Sequence, residues 1–105
     1  MSLVESARQQ WDEGARRLAG EAQDPIRYRQ LCDLVDVVVG ELRRRVGQHF
    51  SLEELAAAHG EADAWVPGVI RGATPRQARA GIRDSALVQD AAFYAYARGA
   101  GDYRP

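Results

Sequence analysis

The segment between Asp24 and Gly47 constrains the fold most, because both of its ends and one of its faces carry helix signals. Asp24 before a proline is the pattern of an N-cap with proline in the first turn, and Gly47 follows three consecutive arginines as a helix stop. Apolar side chains recur along one arc, at Leu31, Leu34, Val35, Val38, Val39, Leu42 and Val46. The sequence therefore predicts a long amphipathic helix, and we expect this helix to form the centre of the core.

Other segments carry the same kinds of signal. Residues 2–22 and 51–60 each open on a capping box, which predicts a first and a short third helix. A last helix is expected over 85–98, before a glycine. Between 61 and 84 the pattern weakens around Pro67, so two short helices joined by loops are expected there.

The fold class follows from these elements. No strand-like alternation or internal repeat is present, and 105 residues suit one hydrophobic core. We therefore expect an all-α protein, a single domain over 1–105 that forms a small irregular bundle of four to six helices. Residues 100–105 are expected to form a flexible tail.

The compartment is inferred from what the sequence lacks. No stretch approaches the roughly 20 apolar residues of a membrane span, and the first residues do not have the pattern of a signal peptide. Cys32 is the one cysteine, which fits a reducing compartment. We expect a cytoplasmic protein that does not bind membranes.

Chemistry-bearing motifs are missing from the sequence. It has no phosphate-binding glycine loop and no nucleophile elbow, and without lysine it cannot form a Schiff base. His49 and His59 lie ten residues apart, without metal-ligand spacing, and His59 is interpreted as favourable to the dipole at the end of the third helix. The sequence predicts no catalytic residue, metal or cofactor, and hence no enzyme.

The last helix carries apolar residues on two faces. Either it lies between other helices, or Phe93 and Tyr96 form an exposed patch for a partner. Tyr103 in the tail is a third contact candidate. The favoured hypothesis is a non-enzymatic protein-interaction or regulatory module of unknown process, whose partner is another protein or a second copy in a homodimer.

Two alternatives stay open. Nucleic-acid binding, possible but not favoured, would use the cationic stripe of Arg71, Arg76, Arg79 and Arg83, which equally suits an acidic partner. Residues 51–60 resemble the first helix and turn of a helix-turn-helix, here degenerate because Pro67 interrupts the second helix. The weaker alternative is a small all-helical enzyme with arginine and carboxylate groups in a pocket.

The chain also resembles a group of proteins. Residues 90–99 and 102–105, together with 50–55, look like short uncharacterised all-helical proteins of actinobacteria. The resemblance covers most of the chain beyond residue 25. It implies a bacterial source and a cytosolic setting, and no activity can be transferred from it.

Overall fold

The computed structural model describes residues 2–73 and 84–99, and it is all-α over these ranges, with no strand. The helices are α1 (Leu3–Gly20), α2 (Pro25–Val46), α3 (Leu52–Glu61), α4 (Val66–Arg71) and α5 (Ser85–Arg98). Short 3₁₀ turns follow α1 and α3, at Glu21–Gln23 and Ala62–Ala64. The predicted all-α bundle is confirmed. Within these ranges, no helix is long and apolar enough to cross a membrane.

The starts of α1, α2 and α3 are set by local side-chain caps, as the sequence predicts, whereas α4 and α5 begin without one. The side chains of Ser2, Asp24 and Ser51 each accept a hydrogen bond of 3.1–3.2 Å from the backbone amide three residues further on. At the other end of α2, Gly47 has φ of +87°, in the left-handed region that favours glycine. The ends of α1, α2 and α3 lie within one or two residues of the expected positions.

The centre of the core is α5, and the prediction that α2 would form it is wrong. The α5 helix packs against α1, α2, α3 and α4, whereas α2 packs mainly on α5 and α4. Buried residues face every side of α5: Leu87, Val88, Gln89, Ala91, Ala92, Phe93, Tyr96 and Ala97. A helix that is apolar all round must be enclosed, whereas amphipathic α2 leaves Ile26 and Val37 exposed. The two apolar faces of the last helix are therefore those of a sandwiched helix.

The helices α1 and α5 approach each other closely at Gly14. A Cβ atom built on Gly14 would lie 2.4 Å from Cβ of Asp90 and 2.8 Å from the backbone nitrogen of Ala91. No side chain fits in this gap, so glycine is required although it costs a helix interior about 1 kcal/mol. The close contact holds Asp90 against α1.

Arg27 joins three parts of the chain. Its Nε lies 2.9 Å from Oε2 of Glu21 in the 3₁₀ turn, and its Nη2 lies 2.5 Å from Oδ2 of Asp84 at the start of α5. These two carboxylates raise the pKa of Arg27, the hydrogen bond to Asp84 most. The ion pairs tie the beginning of α2 to the beginning of α5.

Two expectations for the second half of the chain have different outcomes. Pro67 does not end a helix but occupies the first turn of α4, where its missing N–H has no helical partner to lose. The second of the two short helices expected between 61 and 84, which Thr74 and Pro75 would open, lies outside the described residues, as does the tail 100–105.

Candidate functional site

A cavity of about 320 Å³ lies between α1, α3 and α5. This volume falls at the lower end of the range for small-molecule sites. All three helices and the turn after α3 contribute to its lining. The polar side chains in that lining are Ser6, Gln10, His59, Asp63, Gln89 and Asp90. A small chain has thus brought hydroxyl, amide, imidazole and carboxylate groups from distant positions to one place.

A hydrogen bond between His59 and Asp90 forms part of the cavity wall. Nε2 of His59 lies 2.8 Å from Oδ1 of Asp90, and the two side chains are 11% and 21% exposed. The imidazole ring also meets Phe93 edge to face, with ring centroids 4.9 Å apart, and Trp11 in the same way at 5.8 Å. Because Nε2 of His59 is hydrogen-bonded to the Asp90 carboxylate, Nδ1 is the ring nitrogen that is available for a hydrogen bond to another group.

The position of His59 follows from the period of α3. His59 stands three residues from Ala56 and three from Ala62, and both alanines are buried. This is the core-facing side of the helix, so the ring points towards α5. The interpretation as a residue that serves only the helix dipole is therefore incomplete, because the side chain is bonded to Asp90. The spacing of the alanines was the sequence signal that could have found it.

Gln89 is the most deeply buried polar side chain of the cavity lining. It is only 8% exposed, and no hydrogen bond joins its amide to another residue in the described part of the chain. Its amide atoms are not sealed from solvent, so they are open to the cavity that the residue lines. The amide is therefore available to a molecule in the cavity.

Trp11 carries another buried polar atom. Its Nε1 has no hydrogen-bond partner among the residues that the structure describes. The indole stacks on Phe93, with centroids 5.9 Å apart, and meets His59 with its ring nearly perpendicular. Trp11 therefore does not line the cavity, but its ring packs against the His59 imidazole, which does.

Phe93 and Tyr96 lie in the core, so the prediction that they form an exposed contact patch is wrong. Phe93 is fully buried between Trp11 and His59, and Tyr96 is 9% exposed and stacks on Phe50 with centroids 4.9 Å apart. The physical reason is that α5 is enclosed on both apolar faces. Tyr103, the third contact candidate, lies outside the described residues.

The Tyr96 hydroxyl links α5 to the end of α2. It donates a hydrogen bond to the backbone carbonyl of Gly47. Burial raises the pKa of Tyr96, and the positive charge of Arg43 opposes part of that rise. The phenol is therefore used structurally, to satisfy a carbonyl at a helix end.

Of the four arginines of the predicted stripe, only Arg71 is described. It is exposed at the end of α4 and does not line the cavity, while Arg76, Arg79 and Arg83 lie outside the described residues. The segment after α3 also differs from a recognition helix, since α4 has six residues and buries Val66 and Ile70. That short helix has little surface to place in a DNA groove.

A smaller cavity of about 270 Å³ lies where α2 meets α3 and Trp65. The Arg45 guanidinium lies 4.6 Å from the centroid of the Trp65 ring, and its Nε is 3.0 Å from Oε1 of Glu41. Its cation is thus engaged on two sides by the protein itself.

Cys32 and the metal-ligating residue types add no further site. Over residues 2–73 and 84–99, no group of three or more His, Cys, Asp or Glu side chains is arranged to hold a metal ion. Cys32 is a half-buried free thiol on α2, one turn from Tyr28, and its side chain raises the pKa of Tyr28.

The fold and the cavity together define a small all-helical bundle with a polar site at the junction of three helices. No family model matches the chain, and comparison with curated proteins and with solved structures likewise gives no match. The resemblance to helical actinobacterial proteins therefore stays a prediction, and the function must be argued from the geometry of the cavity.

Proposed function

We propose that this chain is a non-enzymatic, ligand-binding regulatory module that takes up a small polar molecule in the cavity between α1, α3 and α5. The observation that carries the proposal is Gln89, a side chain 8% exposed whose amide faces the cavity without a protein partner. A ligand would replace the water that otherwise hydrogen-bonds this amide. We also propose that the protein is cytoplasmic. Ligand binding would then change its association with a protein partner or with a second copy of the chain.

A purely structural role explains only part of the site. The His59–Asp90 hydrogen bond could serve simply to join α3 to α5. Ser6 and Gln10 reach the same cavity from α1, and Gln89 reaches it from α5. The convergence of three helices on one polar space is typical of a binding site.

Binding is favoured over catalysis by the geometry around His59. A carboxylate-oriented histidine is a familiar general base, but a nucleophile must lie within hydrogen-bond reach of it. Ser6 shares the cavity with His59, yet no hydrogen bond joins the two side chains. We therefore propose that the His59–Asp90 pair presents a fixed hydrogen-bonding group to a ligand.

The first test is a fragment titration followed by nuclear magnetic resonance of the ¹⁵N-labelled chain. Small polar fragments are expected to shift backbone amides of α1, α3 and α5 that border the cavity. Gly60→Leu should weaken this binding about tenfold or more, because Gly60 lines the cavity and has open space where a side chain would stand.

Gly40→Leu is the matched control for this test. Gly40 is also a helical glycine with nothing within 4 Å of a built Cβ atom, but it lies on α2 and does not line the cavity. The control variant should bind like the parent chain. Equal binding by the Gly60→Leu variant, or no shift at the cavity with any fragment, would contradict the proposed function.

A further inference from the structure

We infer that the cavity selects a small organic cation, a short-chain alkylammonium, over neutral or anionic molecules of similar shape. This inference rests on the proposed function and names the ligand class of the same site. It is carried by the charges, the unused acceptor atoms and the size of the cavity.

Summed over the described residues of the lining, the charge is negative in either protonation state of His59. Two carboxylates, Asp63 and Asp90, face one imidazole, and no arginine is among the described residues that line the cavity. A partly enclosed space lined by one sign of charge concentrates ions of the opposite sign.

The hydrogen-bonding groups left without protein partners suit an ammonium. An ammonium offers three donors and no acceptor. Oδ1 of Asp90 holds His59, while Oδ2 makes no hydrogen bond within the described part of the chain. The Asp63 carboxylate and the carbonyl oxygen of the Gln89 amide supply further acceptors in the same lining. Charge-assisted hydrogen bonds of this kind offset the hydration that the cation loses.

The remaining lining fits a short alkyl chain. Ala7, Ala56 and Ala86 add apolar surface, and Leu3, which is 62% exposed, borders the same space. Small alanines leave room without offering aromatic faces, so a primary ammonium suits the site better than a bulky quaternary one, which aromatic cages bind. The volume of about 320 Å³ limits the ligand to a small molecule.

The experiment compares three probes of similar length: n-butylammonium, 1-butanol and butyrate. Each is titrated into the ¹⁵N-labelled chain at constant ionic strength, and the dissociation constant is taken from the shifts of the cavity amides. n-Butylammonium is expected to bind at least about tenfold more tightly than 1-butanol, and butyrate is expected to leave the cavity amides unshifted.

Asp63→Asn separates charge from shape. Asp63 is exposed in the turn after α3, so its neutral isostere should preserve the fold. The variant should weaken n-butylammonium binding about tenfold and 1-butanol binding by much less, because only the cation loses a charge partner. Asp36→Asn is the control, because Asp36 is exposed on α2 and does not line the cavity. It should leave the affinity for n-butylammonium unaltered.

The two proposals fail in different ways. If 1-butanol or butyrate shifts the cavity amides as effectively as n-butylammonium, the cation preference is wrong and the cavity is still a binding site. The same conclusion follows if Asp63→Asn and Asp36→Asn have equal effects on n-butylammonium. If neither these probes nor any polar fragment shifts the cavity amides, both the preference and the proposed function are wrong.

Discussion

Individual residues show where sequence reasoning succeeds and where it stops. The caps at Ser2, Asp24 and Ser51 act on amides three residues away, so their patterns can be identified in the printed sequence. His59 and Asp90 are 31 residues apart, and their hydrogen bond depends on how α3 and α5 pack. No local pattern encodes that packing, which is why the central pair of the candidate site escaped prediction.

Gly14 is the residue at which a single methyl group should have the largest effect. Gly14→Ala is expected to lower the free energy of unfolding by about 1–3 kcal/mol, because the new Cβ would force the backbone of α5 away at Asp90 and Ala91. Urea denaturation of the variant and the parent chain measures the change.

Gly60→Ala provides the comparison for that substitution. Gly60 lies inside α3 with open space around a built Cβ atom, so alanine there should raise the free energy of unfolding by about 0.5–1 kcal/mol. If both alanine variants were stabilised, helix propensity would govern Gly14 as well, and the close approach of α1 and α5 would not be needed.

At the scale of the helices, it was harder to predict which helix lies at the centre of the bundle than to predict where each helix begins and ends. The apolar stripe of α2 was predicted correctly, but such a stripe indicates only that one face of the helix packs against other helices. The two-faced pattern of α5 left a choice between a central helix and an exposed patch, since it does not reveal how many neighbours the helix has. The contacts of α5 with four other helices decide that choice.

The central position of α5 predicts a large effect of Phe93→Ala. Phe93 is fully buried against Trp11 and His59, and truncation of a buried phenylalanine typically lowers the free energy of unfolding by about 3–5 kcal/mol. Circular dichroism during thermal unfolding measures the loss.

Val37→Ala is the matched control for the Phe93→Ala substitution. Val37 is 40% exposed on α2, where an apolar truncation should change the free energy of unfolding by less than about 0.5 kcal/mol. Equal stability of the two variants would mean that Phe93 is not a core residue, and the exposed patch would have to be reconsidered.

At the scale of the whole molecule, long-range side-chain contacts hold the bundle together. Tyr96 reaches Gly47 across 49 residues of sequence, and Arg27 reaches Asp84 across 57. The all-α class and the cap-defined ends of the helices are predictable because they are local. The cavity is not, because it exists only where three separate helices meet.

Tyr96 makes the stability of the whole molecule depend on alkaline pH. Burial raises the pKa of its phenol in the folded chain above the ordinary value near 10, so the folded state holds this proton more tightly than the unfolded state. The stabilisation is complete below the unfolded pKa and is lost as the pH rises through the folded pKa. Urea denaturation from pH 7 to about 11 should show this decline.

Tyr96→Phe identifies the part of the decline that belongs to this residue. At pH 7 the variant should be less stable by about 0.5–1.5 kcal/mol, because the Gly47 carbonyl loses its donor. The difference between variant and parent should shrink as the pH rises, since ionised Tyr96 cannot donate. A constant difference across the range would show that Tyr96 does not cause the pH dependence.

The ion pair between Arg27 and Asp84 has a consequence for the rates of folding and unfolding. Joining residues 57 positions apart costs about 3–4 kcal/mol of chain entropy, whereas a partly exposed ion pair returns about 1 kcal/mol. The pair therefore closes only after the core has assembled, on the native side of the folding barrier. Contacts of this kind leave the folding rate unchanged and slow the escape from the native state, so we expect Arg27 to lengthen the lifetime of the folded chain.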